Sequence, residues 1–130
     1  MKTYAFRLKE GADLRQEIQK CAKKNKIKAG VILCGVGNLK KAVIRMADAT
    51  ITKTWEGTFE IVSITGTVEK DDCHLHISIS DKTGKTFGGH LKNGSIVGIT
   101  AEIIIQTLDN TDFKRVMDDT GYECLVVEEN

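Results

Sequence analysis

The sequence predicts an α+β fold in which a mainly antiparallel β-sheet packs with one main α-helix. Three observations favour this class. Only one segment, near the N-terminus, repeats apolar residues at helical spacing, whereas the rest of the chain alternates apolar and polar residues in short runs. Glycine, aspartate or asparagine separates these runs at regular intervals, which is typical of strands joined by tight turns. The length of 130 residues fits one domain, which we expect to span residues 1–130.

The first two elements are predicted to be a strand and a helix. Alternation in "TYAFRLKEG" indicates an opening strand that ends at the glycine of this segment. Asp13 is a good N-cap residue, and Leu14, Ile18 and Ala22 then recur at helical spacing. We therefore predict a helix that continues to about Lys26.

The remaining elements are predicted to be strands. "AGVILCGVGNLKKAVIRMA" is interpreted as two strands around a glycine turn, because its GxG completes neither nucleotide-binding loop pattern and no helix follows. Separate strands are expected in "ATITKTWEG", "TFEIVSITGTVE", "CHLHISIS", "TFGGHL" and "GSIVGITAEIIIQTL". "NTDFKRVMD" is predicted to form one short helical turn, and Cys124 to Val127 to form a last strand.

Composition and charge narrow the classes of function. A formal net charge of +1 argues against a DNA-binding protein that depends on a strongly basic surface. The lysines near the end of the helix are interpreted as a solvated face that the helix dipole favours; they are Lys20, Lys23, Lys24, Lys26 and Lys28. The four cysteines form no CxxC pair, so we expect free thiols and no zinc ribbon. No signal peptide or membrane helix is predicted, and we expect a cytoplasmic protein.

All three histidines lie in one window, "HLHISISDKTGKTFGGHL". Because side chains alternate across a strand, His74 and His76 share the face opposite the apolar one. "SDKTGK" is a hairpin loop, so "TFGGHL" is expected to return antiparallel. This return brings His90 into the same region only if the bend at the two preceding glycines directs it there. The pair Gly88 and Gly89 indicates an unusual backbone conformation or a close approach by another segment. The arrangement fits either a metal site of neutral imidazoles or exposed histidines without a function.

Two glutamates are candidates to complete such a site. Glu60 is expected to share its face with Val62 and Ile64, and Glu102 with Thr100 and Ile104. Either glutamate could be a metal ligand, a hydrogen-bond partner of a histidine, or a catalytic proton carrier. A structural ion pair is the simpler role for each.

These segments resemble a known family. The order "CGVGNLKKAVIR", "GTFEIVSITGTV" and "HLHISISDKTGKTFGGHLKNGSIVGITAEIII" is similar to that of the PPC domain, also called DUF296 or the plant-and-prokaryote-conserved domain, over nearly the whole chain. The length is typical of the stand-alone prokaryotic members. The resemblance implies a PPC-like α+β fold that assembles as a homotrimer, and an association with DNA. It also implies that His74, His76 and His90 bind a metal ion, zinc or another divalent transition metal.

Two departures from the plant members bear on function. The chain has no proline and so lacks the Arg-Gly-Arg-Pro hook that enters the minor groove. Thr58 replaces the arginine of the plant Gly-Arg-Phe-Glu-Ile-Leu motif. Any DNA binding should therefore be weak and non-specific. Two hypotheses stay open: a homotrimeric interaction module with DNA-linked or regulatory duties, and a metal-dependent enzyme or small-ligand-binding protein that uses the histidines.

Overall fold

The structure, a computed structural model, describes residues 1–130 and contains one helix and eight strands. Their bounds are β1 Thr3–Lys9, α1 Leu14–Lys24, β2 Gly30–Arg45, β3 Thr52–Val68, β4 Cys73–Ser80, β5 Thr86–Leu91, β6 Ile96–Thr107, β7 Thr111–Met117 and β8 Glu123–Glu129. The predicted predominance of antiparallel strands is confirmed. The helix has only 11 residues, so the α+β class describes the fold approximately. No helix has the length and the apolar character that a membrane span requires.

The helix begins at the predicted cap. Asp13 Oδ1 accepts a hydrogen bond from the Gln16 amide at 3.1 Å, while Oδ2 accepts one from the Gly94 amide at 2.7 Å. The same carboxylate therefore caps the helix and attaches it to the turn before β6. The helix ends at Lys24, two residues before the predicted end, since Lys26 has a φ of 51° that a helix does not allow. Its buried face consists of Leu14, Ile18 and Ala22.

Six strands form the main sheet in the order β1-β6-β2-β3-β4-β5, and every pairing is antiparallel. The end of β2 also pairs with β5, through Ile44 with Leu91 and Arg45 with His90. The strands β2, β3, β4 and β5 therefore form a closed circuit. The core lies inside this circuit and under the helix, and one cluster of 22 buried residues fills it. On the outer face, His74 and His76 of β4 are exposed and His90 of β5 is half-buried.

The first correction concerns β2 and β3, each of which is one long strand and not two. Gly37, predicted to lie in a turn, lies within β2, and Gly57 lies within β3. A Cβ atom on Gly37 would be 2.1 Å from the Thr100 carbonyl oxygen, and the φ of Gly37 is 145°. The glycine is needed because β6 crosses closely, and the strand continues through it with an irregular register.

The second correction concerns "NTDFKRVMD", which forms strand β7 and not a helical turn. β7 pairs with β8 in a separate two-stranded sheet, in which Phe113 lies opposite Val127. The predicted last strand is confirmed and extends beyond its predicted ends, over Glu123–Glu129. Phe113 is buried, and its amide donates to the Lys28 carbonyl at 2.9 Å. A backbone hydrogen bond and the buried Phe113 side chain therefore attach the hairpin to the rest of the chain, the hydrogen bond through the segment just before β2.

Candidate functional site

The outer face of β4 positions two histidines. The strand alternates as predicted: its apolar side chains are buried, while His74 and His76 are exposed on the other face. Cys73 lies on the buried face and is not directed toward the imidazoles. Burial raises the pKa of the Cys73 thiol to about 11, so this residue stays protonated at neutral pH. All four cysteines are free, as expected.

The hairpin to β5 brings the third histidine to the same place. The Asp81 carboxylate accepts hydrogen bonds from the Thr83 and Lys85 amides, at 2.8 and 3.0 Å, and so closes the turn. The return strand places His90 directly opposite His76.

The two glycines before His90 allow other strands to approach β5 closely. A Cβ atom on Gly88 would lie 2.0 Å from the Ile77 carbonyl oxygen, and one on Gly89 would lie 2.7 Å from the Arg45 carbonyl oxygen. Neither glycine has a positive φ. Of the two explanations offered for the glycine pair, the close approach is therefore correct, and the unusual conformation is not.

The three imidazoles form one cluster. Ring centroids are 4.9 Å apart for His74 and His76, 5.2 Å for His74 and His90, and 5.6 Å for His76 and His90. One ligand atom from each ring lies within 4.8 Å of the other two. With zinc–nitrogen bonds of 2.0–2.1 Å in a tetrahedral site, the nitrogens would be about 3.3 Å apart. Each ring would move by about 1 Å or less to reach that geometry, so the residues fit a metal ion.

The surroundings favour the neutral form of His74 and His90. Burial lowers the pKa of His74 below its ordinary value, and the neighbouring His76 lowers it further. Burial and the adjacent Arg45 guanidinium lower the pKa of His90 to about 4. Because both rings are therefore uncharged at pH 7, their nitrogens keep lone pairs that a metal ion can accept.

A cavity of about 610 Å³ opens beside the cluster. His74 and His90 form part of its wall, and the hairpin of β7 and β8 contributes Tyr122, Cys124 and Leu125. The charged residues of the wall are Arg15, Arg45, Lys92, Arg115, Asp72 and Glu123. The histidine cluster therefore lies at the edge of a concave surface with an excess of positive charge.

Neither candidate glutamate lies in this cluster. Glu60 pairs with Ser80 and Thr65 with His76, so Glu60 is five residues along β3 from the histidines, or roughly 17 Å. Glu102 lies on β6 opposite Val36 of β2, and β3 separates β2 from β4 there. Both side chains are exposed and form no salt bridge, which also excludes the expected structural ion pair.

The expected face of Glu60 also needs a correction. Phe59, Ile61 and Ile64 are buried, whereas Glu60 and Val62 are exposed. The register of β3 against β4 shifts between Ile61 and Ser63, so the alternation changes phase there. Glu60 therefore shares its face with Val62 but not with Ile64.

Sequence reasoning missed Arg45 and Lys92. Arg45 is the last residue of β2 and lies 45 positions before His90, so no local pattern joins the two residues. Lys92 follows His90 by two positions, and the alternation of a strand could have placed it on the same face. The cavity residues from the final hairpin were also missed, because the first half of that hairpin was predicted to be helical.

Comparisons with known proteins agree with this architecture. A sequence model of the Plants and Prokaryotes Conserved (PCC) domain matches residues 1–109. The bifunctional protein GlmU of Synechococcus sp. strain JA-2-3B'a(2-13) is 37% identical over 123 residues, which are 94% of this chain and 20% of that protein. The chain thus spans about a fifth of the length of the curated relatives it matches.

Solved structures are similar over nearly the whole chain. A hypothetical protein from Salmonella enterica has a TM-score of 0.95 and 32% identity, covering 99% of this chain and 94% of that one. The metal-containing protein AF0104 of Archaeoglobus fulgidus has a TM-score of 0.83 and 27% identity, with coverages of 97% and 94%. A plant- and prokaryote-conserved (PPC) protein of Pyrococcus horikoshii has a TM-score of 0.76 and 30% identity, with coverages of 95% and 90%.

Two more distant structures share the fold alone. They come from Bacteroides thetaiotaomicron and Ralstonia eutropha, are described as candidate DNA-binding proteins, and are 18% and 22% identical to this chain. Family membership rests on the sequence match, which covers residues 1–109 and hence both strands that carry the histidines. The chain belongs to the plants-and-prokaryotes-conserved family.

Proposed function

We propose that this chain binds a divalent transition metal ion, such as zinc, through His74, His76 and His90, and that it acts as a metal-dependent binding module. The observation that carries the proposal is the cluster itself, in which one ligand atom from each ring lies within 4.8 Å of the others. The low pKa values of His74 and His90 support it, because metal ions bind neutral imidazole. The related protein AF0104 is described as metal-containing, which adds support.

The surroundings favour binding of a ligand over acid–base catalysis. A divalent ion held by three histidines offers an open coordination position to an oxygen atom of a ligand. A hydrolytic enzyme would also need an acid or base nearby. Glu60 and Glu102 are too far away for that role, since each lies on another part of the sheet. Of the two carboxylates in the cavity wall, Asp72 already accepts hydrogen bonds from Arg15 and from the Cys73 amide, which leaves Glu123 as the one candidate. A metal-dependent enzyme is therefore the alternative, and binding is the function that the geometry supports best.

The metal site is tested by loading purified protein with zinc, removing free zinc by gel filtration and measuring the bound metal. We expect about one zinc ion per chain, and an affinity at least about tenfold lower in His76→Ala. Ser78→Ala is the matched control, because Ser78 lies two residues further on the same face of β4. Equal zinc binding by His76→Ala and the wild type, or no zinc in either, would contradict the proposal.

We also propose that the chain assembles as a homotrimer. Four large apolar side chains are exposed on β2, β3 and β6, with exposed fractions of 58% for Leu33, 49% for Val36, 56% for Val62 and 68% for Ile99. Val36 and Ile99 line the same shallow depression. A soluble protein rarely leaves such a group uncovered, and a second copy of the chain would bury it.

Assembly is tested by analytical ultracentrifugation of Ile99→Asp. We expect the wild type to sediment as a trimer and Ile99→Asp as a monomer, since a buried carboxylate is costly at an interface. Met117→Asp is the control, because Met117 is 60% exposed on the separate hairpin. A monomeric wild type, or a trimeric Ile99→Asp, would refute this assignment.

DNA association is a second candidate, favoured by one observation. The five lysines from Lys20 to Lys28 are all exposed, around the end of α1. The net charge of +1 limits the strength of any such binding. We expect a gel shift with duplex DNA only at low salt, with no sequence preference. The absence of a shift at low salt would exclude DNA as a partner.

We further propose that residues 1–130 act as one functional unit. The family match ends at residue 109, yet Tyr122 and Glu123 line the cavity beside the histidines. The Arg115 Nη2 atom also donates to the Thr67 carbonyl and hydroxyl oxygens at 3.2 and 3.0 Å. Deletion of residues 110–130 should therefore open the cavity and lower stability, which a thermal melt of the truncated chain would measure.

A further inference from the structure

We propose that the cavity beside the histidine cluster binds a small molecule with a carboxylate or phosphate group, and that Arg45 and Lys92 hold this anionic group. The inference deepens the proposed metal site, because the same molecule would lie within reach of an ion held by His74, His76 and His90. No sequence motif indicated Arg45 or Lys92.

The cavity wall carries more positive than negative charge. Its cationic side chains are Arg15, Arg45, Lys92 and Arg115, and its acidic ones are Asp72 and Glu123. The whole chain has a net charge of only +1, so this excess is local. A concave surface with low-dielectric walls concentrates such a field and favours an anionic ligand.

Two of the four cations already have acceptors within the protein. Arg15 Nη2 donates to Asp72 Oδ1 and to the Cys73 carbonyl oxygen, each at 3.1 Å. Arg115 Nη2 donates to Thr67, and its Nε atom, although without a hydrogen-bond partner, forms an ion pair with Glu69 Oε1 at 3.9 Å. These guanidinium groups are held by the fold and form the wall of the cavity.

Arg45 and Lys92 have no such partners. Neither forms a salt bridge. The Nε atom of Arg45 is buried without a hydrogen-bond partner, and the only polar contact of its guanidinium is a long one of 3.5 Å from Nη2 to His90 Nδ1. A buried donor without an acceptor is costly, and a planar guanidinium matches the two oxygens of a carboxylate or phosphate.

Metal loading would release Arg45 from its weak contact with His90. If His90 bound the ion through Nδ1, that atom could no longer accept from Arg45. If it bound through Nε2, Nδ1 would carry the proton and become a donor facing another donor. In both cases the guanidinium loses its acceptor. The metal-loaded protein should therefore bind the anion more tightly than the metal-free protein, and by linkage the anion should tighten metal binding equally.

The size and the walls of the cavity indicate a small organic molecule. Its volume of about 610 Å³ falls within the usual range for small-ligand sites. Tyr122 and Leu125 from the final hairpin contribute apolar surface to its wall. The anionic group would lie at Arg45 and Lys92, and the rest of the molecule would extend toward the hairpin.

The test is calorimetric titration of acetate and of inorganic phosphate, at pH 7, into zinc-loaded and metal-free protein. Free zinc is removed beforehand, and bound zinc is measured separately. We expect binding of at least one anion to the zinc-loaded wild type, weaker binding to the metal-free protein, and at least a tenfold loss in Arg45→Gln. Acetate binding alone identifies a carboxylate site, and phosphate binding alone identifies a phosphate site.

Variants separate the cavity from its surroundings. Lys92→Gln should also weaken anion binding, and Arg45→Lys should keep part of it because the charge remains. Arg7→Gln, on the exposed face of β1, is the matched control and should bind like the wild type. A zinc content in Arg45→Gln equal to that of the wild type shows that the site is still folded.

Three outcomes would overturn the proposal. They are no binding of either anion to the wild type, equal binding by Arg45→Gln and the wild type, and an equal loss in Arg7→Gln. Failure of the proposed metal site can be distinguished from failure of the anion site. If the protein holds no zinc but binds an anion through Arg45, the anion site is supported and only the metal site is refuted.

Discussion

Replacement of Gly88 by alanine should damage the histidine site without touching any histidine. The added Cβ atom would lie 2.0 Å from the Ile77 carbonyl oxygen, whereas real Cβ contacts essentially never fall below 3.0 Å. β5 must therefore move from β4 by at least about 1 Å, because the obstacle is backbone and cannot rotate away. We expect Gly88→Ala to destabilise the fold by about 2–3 kcal/mol, the upper part of the range for overpacked cores.

The same displacement should weaken metal binding, because His90 is only two residues beyond Gly88. The displacement of β5 adds to the movement of about 1 Å that each ring already needs to reach a metal ion, and bound metal–ligand distances vary by only about 0.2 Å. Thermal melts and zinc titrations together measure both effects. We expect the melting temperature to fall by about 10 °C and zinc affinity to fall at least about tenfold.

Gly98→Ala is the matched control for this variant. Its added Cβ atom would lie 3.3 Å from Asn38 Oδ1, a contact that a shift of a few tenths of an ångström relieves, and Gly98 lies on β6 away from the histidines. Both variants lose the same backbone freedom in the unfolded chain. If Gly88→Ala melts and binds zinc like Gly98→Ala, the close approach of β4 to β5 does not require a glycine at position 88, and the prediction is refuted.

Two further predictions concern pH and the helix cap. Because the folded pKa of His90 is about 4 and the ordinary value is 6.5, the unfolded chain takes up a proton first as the pH falls. The free energy of unfolding of the metal-free protein should therefore be constant above pH 6.5 and should decrease as the pH falls from 6.5 to 4. The full shift corresponds to about 3 kcal/mol, which we discount to about 1 kcal/mol because the ring is partly exposed. Urea unfolding across this range measures it, and a flat profile, or the same slope in His90→Gln, contradicts it. Asp13→Ala should cost about 1–2 kcal/mol, since one carboxylate serves both the helix and the Gly94 amide. Asp119→Ala in an exposed turn is its control, and equal melting temperatures of the two variants would argue against the double role.

The alternation of β4 was predictable because it depends only on neighbouring residues. Each apolar residue from Cys73 to Ile79 is buried, and the intervening positions face outward. A strand has a period of two whatever its partners are, so one buried face fixes the other. The start of α1 was predictable for the same reason, since the Asp13 cap acts on an amide only three residues away.

The continuity of β2 could not be predicted from the same kind of information. A glycine within a run of β-forming residues is typical both of a turn and of a strand that another segment crosses closely. Gly37 is of the second kind because Thr100, which is 63 residues away, lies against it. Similarly, β7 is a strand because β8 pairs with it, and that pairing overrides a weak local preference.

The cavity depends even more on distant contacts. His74, His76 and His90 are joined by a hairpin, whose short loop makes the pairing of its two strands predictable. Arg45 joins them only because the end of β2 closes the circuit against β5. Closure of a circuit of strands depends on twist and register summed over four strands, which no short segment encodes.

Local sequence was therefore sufficient to predict which residues of β4 face outward, that His74 and His76 share this face, and where the helix begins. These properties follow from the periodicity of a strand and from contacts within a few residues. Long-range contacts, in contrast, explain why two long strands run unbroken, why both glutamates lie far from the histidines, and why Arg45 and Lys92 border the cavity beside them. Those features depend on contacts between segments that are far apart in the chain. The stability of such contacts depends on the whole fold and not on any one segment.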